Sequence, residues 1–530
     1  MTNLCRILPN LQFEPLYNQW YVCLPMLAPV PNSMVLANSY VPIMQSYIES
    51  PEDHLSLSQE MSMIGGPFVN YPTDRSVEVK KLLDDILTNK KHLIDFSCSV
   101  KTFINYLDTK ADGFTLEPEY NNIPEQLRGY TELVYDMSNR PSIRFIEPLL
   151  YKSPYYCKKS QSVCCSLINK DERPFVLSTP RLIDENQIQI NLPFDSHVYD
   201  EFSRMREYPA NFDEIVQKLN IPENKIGLFK SFVEFTDKTK KRDDYFEENI
   251  RVRYFGHACL LIECEGISIL TDPFVSYDYP NENPRFTFSD LPSSIDYVLI
   301  SHGHLDHIVL ETLLQLRYKI KHIVVPRNGG ALYADPSLKL LLQNLGFNSV
   351  IEITELEEIN VNNNAKIVAM PFLGEHHDLN IMAKVAYFLT IRGKKIYIAA
   401  DSSNLDPKLY DNIRDIYGTI DVLFLGMECD GAPLSWFYGP LMPKRLEHDK
   451  DYSRQGSGSD YSKAIKIVNS LCPSVAYVYA MGMEPWFTYV LGLNYTKNSK
   501  QIAESDKFIE ECKSRGIESE RLFCKKEFVF

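Results

Sequence analysis

A chain of 530 residues is too long for one ordinary hydrophobic core, so two or three cores are expected. Its 44% hydrophobic and 24% charged content is that of a folded globular protein. A net charge of −15 argues against nucleic acid as the main partner, because phosphate binding is driven by lysine and arginine. No apolar run approaches the roughly 18 residues that a membrane span needs. Residues 1–7 lack a charged stretch followed by a hydrophobic one, so a cytoplasmic location away from membranes is expected. The 12 cysteines show no CxxC spacing, and only Cys164 and Cys165 are adjacent. Reduced thiols are therefore expected rather than a zinc ribbon or a disulfide framework.

The first part of the chain is rich in Tyr, Pro and Met and mixes both periodicities. Leu82 to Leu87 and Phe212 to Leu219 have helical spacing, whereas Tyr21 to Leu24 and Ile188 to Leu192 read as extended. A helical pair around Phe212 to Phe235 could imitate a helix-turn-helix, but the acidic balance favours ordinary helix packing. The charged, strand-poor stretch Asp237 to Asp244 then marks a boundary near Tyr245. It divides a mixed α/β region, 1–245, from a second domain, 246–530.

Beyond that boundary come Arg251 to Phe255, the turn Gly256-His257-Ala258, Cys259 to Glu263, a Gly266 turn, and Ile267 to Leu270 running into Asp272. The apolar run Tyr297 to Ile300 leads into Ser301-His302-Gly303-His304-Leu305-Asp306-His307. A segment of helical spacing follows, with Leu310, Leu313, Leu314 and Arg317 on one side. Later strands are Lys366 to Met370, Lys384 to Thr390, Lys395 to Ala400 ending at Asp401, Ile420 to Leu425 and Val475 to Tyr479, with a helix at Tyr461 to Leu471. Antiparallel strands succeeded by strand–helix units predict two sheets covered by helices.

The HxHxDH string carries the chemistry. On an extended backbone His302 and His304 point the same way and suit one metal, while Asp306 and His307 turn toward a second. Three of the 11 histidines fall within this short span, so chance is a poor explanation. A polar helix start capped by Asp306 would account for the aspartate but not for the histidines.

Strand order and motif resemble the metallo-β-lactamase superfamily, an αββα sandwich with a dinuclear site at the loops along one sheet edge. That resemblance implies two more ligand regions, Gly374-Glu375-His376-His377-Asp378 and Asp401. Hydrolytic members usually take a third histidine in the first of these and another from a late strand. Here Val475 to Gly482 offers none, and the residue directly after Gly374 is Glu375. Spacing alone leaves Glu375, His376 and His377 as alternatives. With Glu375 the set has three histidines and three carboxylates, and such hard anionic donors favour iron over zinc.

His302 to His307, Gly374 to Leu379, Asp401 and a large leading domain together resemble the diiron β-hydroxylases typified by that of chloramphenicol biosynthesis. The resemblance covers the full length and the domain order, with motifs confined to the second half. It implies an oxygen-dependent diiron monooxygenase with two oxo- or hydroxo-bridged irons, dioxygen as co-substrate and an external electron donor, an electron-transfer protein or reductase. Its substrate would be an aminoacyl group held as a thioester on the carrier (thiolation) domain of a nonribosomal peptide synthetase, hydroxylated at the β-carbon during natural-product biosynthesis. By position, His302, His304 and Glu375 would hold one iron, Asp306 and His307 the other, and Asp401 would bridge them or lie close to both. Glu375 and Asp401 would be the catalytic pair.

Around this set, His257 reads as a structural or supporting residue, and Asp272 as a brace for the HxHxDH loop. Glu428, Asp430 and Glu484 follow late strands and are candidate supporting acids or substrate contacts. His448 reads as solvated, and Arg454 to Ser459 as a flexible segment able to close over a site. Trp436 to Tyr438 and Trp486-Phe487 read as core or as pocket lining. Three competing functions are a zinc hydrolase acting on a phosphodiester, lactone or thioester, a flavodiiron oxygen reductase, and a scaffold with a vestigial site. The second is weakened because too little chain follows the sandwich for a flavodoxin domain, the third by the complete ligand set. The leading region, 1–245, is expected to dock the carrier domain and to pair two subunits as a homodimer. At −15 the chain would need a local basic or apolar patch for an acidic carrier, with Lys80-Lys81, Lys90-Lys91 and Lys238 to Arg242 as candidates.

Overall fold

The strand Cys259–Cys264 is buried at every position, as an apolar run without alternation must be when both faces of a sheet are covered. Its Leu260 and Ile262 join Ile367, Leu389, Ile396 and Phe424 in a core between two sheets. Its Cys259 and Leu261 face the opposite way, toward Leu310, Leu313 and Leu314 of the helix Leu310–Leu316. These relations come from a computed structural model that describes residues 3–60, 63, 65–330, 332–493 and 495–530.

Each of the two large sheets has seven strands. The first runs in the order Val350–Ile353, Ile320–Pro326, Ile295–Leu299, Ile267–Thr271, Cys259–Cys264, Arg251–Gly256 and Lys526–Val529. The second runs Glu358–Asn360, Ala365–Met370, Ala386–Ile391, Lys394–Ile398, Val422–Gly426, Val475–Tyr479 and Glu518–Arg521. Helices Pro407–Tyr417, Tyr461–Leu471 and Lys500–Ser514 cover the outer face of the second sheet through Tyr410, Ile413, Ile467, Leu471 and Phe508. The expected αββα sandwich is therefore present. Half of each sheet is parallel, so Ile267–Thr271, Ile295–Leu299, Lys394–Ile398 and Val422–Gly426 each end in a loop at a carboxyl edge, where α/β sheets place their sites. Two bonds tie the sheets together there. The Val385 N–H donates to Ser301 O at 2.8 Å, and the Tyr387 hydroxyl donates to Ile300 O at 2.8 Å.

The region before the sandwich carries a three-stranded sheet around Leu4–Ile7, a four-stranded sheet containing Leu11–Tyr17 and Gln161–Leu167, a hairpin at Thr131–Tyr135 and Pro141–Phe145, and long helices at Ser76–Asn89 and Lys91–Lys110. Instead of running extended to Leu24, the chain leaves its strand at Tyr21 and turns into the short helix Leu24–Leu27, with Pro25 in its first turn. The pair Phe212–Lys218 and Ile226–Lys230 buries Phe212, Ile215 and Phe229, the packing its acidic setting suggested. Among the described residues no helix is long and apolar enough to cross a membrane.

This leading region does not form its own isolated core. Phe13, Trp20, Cys165 and Phe202 belong to the same apolar cluster as Val298, Leu313 and Val325 of the sandwich. Buried ions stitch the joint. Arg173 pairs with Glu14 at 2.7 Å and with Glu311 at 2.9 Å, and its guanidinium lies 3.6 Å from the Tyr489 ring centroid. Arg206 donates to Leu11 O and to Gln315 Oε1, each at 2.6 Å.

Removing one member of a buried charge cluster strands its partner, so Arg173→Met is expected to lower stability by about 3–5 kcal/mol. Urea unfolding followed by tryptophan fluorescence and circular dichroism should show a lower midpoint in one shared transition. An earlier, separate transition of the leading region would contradict the shared core.

Candidate metal centre

The loop after Ile295–Leu299 is held by one carboxylate. Asp272 stands just past the strand Ile267–Thr271. Its Oδ1 accepts the Ser301 N–H and its Oδ2 accepts the Ser301 hydroxyl, both at 2.7 Å. His307 Nδ1 lies 2.9 Å from the same Oδ2. With Nδ1–H turned to a carboxylate, the His307 tautomer leaves Nε2 free to act as a ligand. His257 supports the far end: its Nε2 is 3.0 Å from Asp306 Oδ2, and its Nδ1 accepts the Gly482 N–H at 3.1 Å. Asp306 thus does not cap the following helix, whose N-cap position is Val309 with no side-chain bond.

The sequence candidates converge. His307 Nε2 is 2.8 Å from Asp401 Oδ2 and 3.5 Å from Asp306 Oδ2, and His302 Nε2 is 3.7 Å from Asp401 Oδ2. The His302 ring centroid lies 4.7 Å from that of His304 and 4.2 Å from that of His307. His304 Nδ1 is 3.3 Å from Glu375 Oε1. Potential ligand atoms of His302, His307 and Asp401 lie within 4.8 Å of one another, as do those of His257, Asp306 and His307.

Several of these atoms are stranded. Nε2 of His302 and Oδ1 of Asp401 are buried without a hydrogen-bond partner, and Nε2 of His307 faces only the Asp401 carboxylate. Such orphans cost about 1–3 kcal/mol each unless something not yet named satisfies them. Burial and neighbouring imidazoles hold His302 well below the ordinary histidine range. Burial opposes charge on His307 as well, but Asp401, Asp306 and Asp272 outweigh it and raise that ring well above the range. Burial lifts Asp401. The neutral His302 imidazole with its free Nε2, next to the unpartnered Oδ1 of Asp401, is a donor set that fits divalent or trivalent iron.

The loop 374–378 is strained. Gly374 has φ +81°, and Glu375, His376, His377 and Asp378 follow with φ of 54°, 50°, 56° and 56°. Residues in this region cost on the order of 1–3 kcal/mol each and persist only where their surroundings hold them. Here Lys384 Nζ donates to Gly374 O at 2.7 Å, and Arg454 Nε and Nη2 donate to His377 O at 2.9 and 2.6 Å. A Cβ on Gly374 would meet Ser403 Cβ at 2.7 Å, so the position admits only glycine. The segment Arg454 to Ser459, read from sequence as a flexible cover, is thus bonded to this loop at its Arg454 end.

Of the three residues that spacing left open, Glu375 reaches His304. His376 packs its ring 4.4 Å from that of His304, with Nδ1 2.8 Å from the Tyr438 hydroxyl and Nε2 buried and unpartnered. His377 Nε2 donates to Ala432 O at 2.9 Å.

Other candidates sort by distance from this cluster. Glu428, just past Val422–Gly426, has a buried, unpartnered Oε1. Burial first, then Asp401, Asp306 and Glu375, push its carboxyl well above the usual range. Asp430 is exposed and pairs with Lys500, Glu484 accepts the Tyr254 hydroxyl, and His448 is exposed on its helix. Sequence reasoning left Phe437 and Tyr438 as core or as pocket lining, without a contact to the histidines. Phe437 stacks on His304 at 5.4 Å, and the Tyr438 hydroxyl stands between His376 Nδ1 and His304 Nε2, 3.5 Å from the latter. Their only signal was an aromatic run after a strand end.

The diiron non-heme beta-hydroxylase N-terminal domain matches residues 6–237, and a beta-lactamase superfamily domain matches residues 251–427. The chain is 33% identical, over 97% of both sequences, to the 4-amino-L-phenylalanyl-[CmlP-peptidyl-carrier-protein] 3-hydroxylase of Streptomyces venezuelae. The crystal structure of CmlA, a diiron β-hydroxylase from Streptomyces venezuelae, superposes with a TM-score of 0.93 at 32% identity and 99% coverage of both chains. A CmlA mutant gives a TM-score of 0.91 at 32% identity, covering 99% of this chain and 100% of that one. With its leading region and its sandwich both matched, and in that order, this chain belongs to the diiron non-heme β-hydroxylase family.

Proposed function

We propose that this protein hydroxylates the β-carbon of an aminoacyl group tethered as a thioester to a synthetase carrier domain. In this reading His302, His304 and Glu375 hold one iron, Asp306 and His307 the other, and Asp401 lies between them. The observation that carries it is the cluster of buried donor atoms on His302, His307 and Asp401, two of them unpartnered, with Glu375 reaching His304. The two irons, when bound, would supply the redox chemistry by which dioxygen, with electrons from an external donor and protons, places one oxygen atom on carbon and releases the other as water. The chain's own residues do the rest. Asp272 fixes the His307 tautomer, His257 orients Asp306, and Phe437 shields His304 from water. The tether on the relative's substrate supports the same substrate class here, since the match spans 97% of both sequences. A zinc hydrolase is disfavoured because Val475 to Gly482 supplies no histidine and Glu375 adds a third carboxylate.

In the same reading residues 1–245 dock the carrier and pair two subunits, an external reductase supplies electrons, and the reaction runs in the cytoplasm, where thiols stay reduced. Of the basic candidates, Lys90 is engaged by Ser160, Lys91 by Asp95, and Arg242 is buried against Glu207. Lys80 and Lys81 on Ser76–Asn89, and Lys238 and Lys241, stand exposed and are the better carrier contacts.

Glu375→Ala is expected to lose iron or oxygen-dependent turnover, and Glu375→His to retain zinc and abolish turnover. His376→Ala and His377→Ala should cost less. Metal content and single-turnover assays read all four. A His376 or His377 variant that empties the site while Glu375→Ala stays filled would reassign the ligand.

The tether is tested by comparing the carrier-bound and the free amino acid under identical reducing conditions. Hydroxylation should need the carrier. Equal hydroxylation of the free acid, or oxygen-independent release from the carrier, would contradict the proposed substrate.

A further inference from the structure

A cavity of about 140 Å³ opens beside the metal centre, bounded on one side by Gly303, His304, Leu305 and His376. The leading region builds much of its opposite wall, through Cys23, Leu24, Pro25, Pro31, Val35 and Tyr40. Leu338, Ile381, Phe437 and Leu441 complete it. Phe437 stacks on His304, so the cavity and the proposed ligand His304 share one aromatic face. A group lodged there has its nearest carbons beside the metal ligands.

The chemistry of the walls selects what that group can be. Among the lining residues the imidazoles of His304 and His376 and the carboxylate of Asp335 are joined by the Cys23 thiol and by the hydroxyls of Ser39, Tyr40 and Tyr438, of which Tyr40 is engaged by Met26 and Tyr438 by His376. Asp335 is already engaged: its Oδ2 accepts the N–H groups of Gly329 at 2.9 Å and Met382 at 3.0 Å, and its Oδ1 that of Ala383 at 3.2 Å. Lys384 adds a neighbouring positive charge. The carboxylate therefore acts as a clamp for its own loop and is poorly placed to serve as counter-ion to a ligand. An ionised or strongly polar side chain entering this space would leave water without an equivalent partner, a cost of several kcal/mol. Size points the same way, since a dry apolar cavity of about 150 Å³ accepts benzene.

We propose that this cavity is the side-chain subsite of the tethered aminoacyl group and that it selects an apolar, uncharged side chain, an aromatic ring or a branched aliphatic group. The inference rests on the proposed function and deepens it: the leading region shapes side-chain selectivity through Leu24, Pro31 and Val35. Carbon–hydrogen bonds next to such a side chain then lie beside His304 and His376, and the thioester end is left to extend outward along the mouth.

The test uses iron-loaded protein without reductant, so that no turnover occurs, titrated calorimetrically with pantetheine amides of phenylalanine, leucine, glutamine and lysine. The phenylalanine and leucine amides should bind at least about 30-fold more tightly than the glutamine and lysine amides. Val35→Phe, which fills the cavity, should weaken the phenylalanine amide by about tenfold or more. Val35→Ala, which only enlarges it, should keep the preference. Equal affinities across the four amides, tighter binding of the lysine amide, or a Val35→Phe protein that folds and binds phenylalanine unchanged would overturn the proposal. If carrier-tethered substrates fail to be hydroxylated while the amides still rank in this order, the proposed function falls and the apolar subsite stands.

Discussion

The Asp272 carboxylate holds two donors of Ser301 and Nδ1 of His307, and the geometry of the metal centre depends on it. Two anionic oxygens at the tip of one strand fix both the backbone of the neighbouring loop and the tautomer of one ring. Because the Ser301 carbonyl also accepts the Val385 N–H of the opposite sheet, that clamp is registered against both halves of the sandwich. His302, Asp306 and His307 are therefore buried between rigid elements, where orphaned polar atoms are tolerable only if something completes them.

Against that rigid side stands a strained one. Four consecutive non-glycine residues with positive φ, Glu375 to Asp378, are pinned by Lys384 at the preceding Gly374 carbonyl and by Arg454 at the His377 carbonyl. Strain held in place by charged donors keeps Glu375 beside His304 and leaves a loop whose energy depends on few contacts. The leading region lies over the same face and shares its core with the first sheet, so walling the cavity beside His304 and stabilising the fold are one packing problem.

Much of this was legible in the sequence, for local reasons. The HxHxDH loop between an apolar run and a helical pattern, the Gly266 hairpin, Asp272 at a strand tip and Asp401 after five apolar residues are all signals carried within a few positions. What could not be read depends mostly on contacts between residues far apart in the chain. Arg173 gives no local hint of bridging Glu14 and Glu311. Phe437 and Tyr438 read equally as core or as pocket lining, and the fold alone brings them to His304 and His376. The run from Tyr21 to Leu24 reads as a strand because its apolar side chains are buried, yet Pro25 turns the chain into a helix whose Leu24 lines the cavity. The stranded Oε1 of Glu428 is likewise a property of the folded site alone.

The central claim is that three carboxylates among six donors make this an iron site rather than a zinc site. Metal analysis of protein expressed with both iron and zinc available, and purified without added metal, tests it most directly. About two irons per chain, with near-ultraviolet absorption of an oxidised dinuclear centre, is the result this donor set predicts. Stoichiometric zinc with no iron would contradict it.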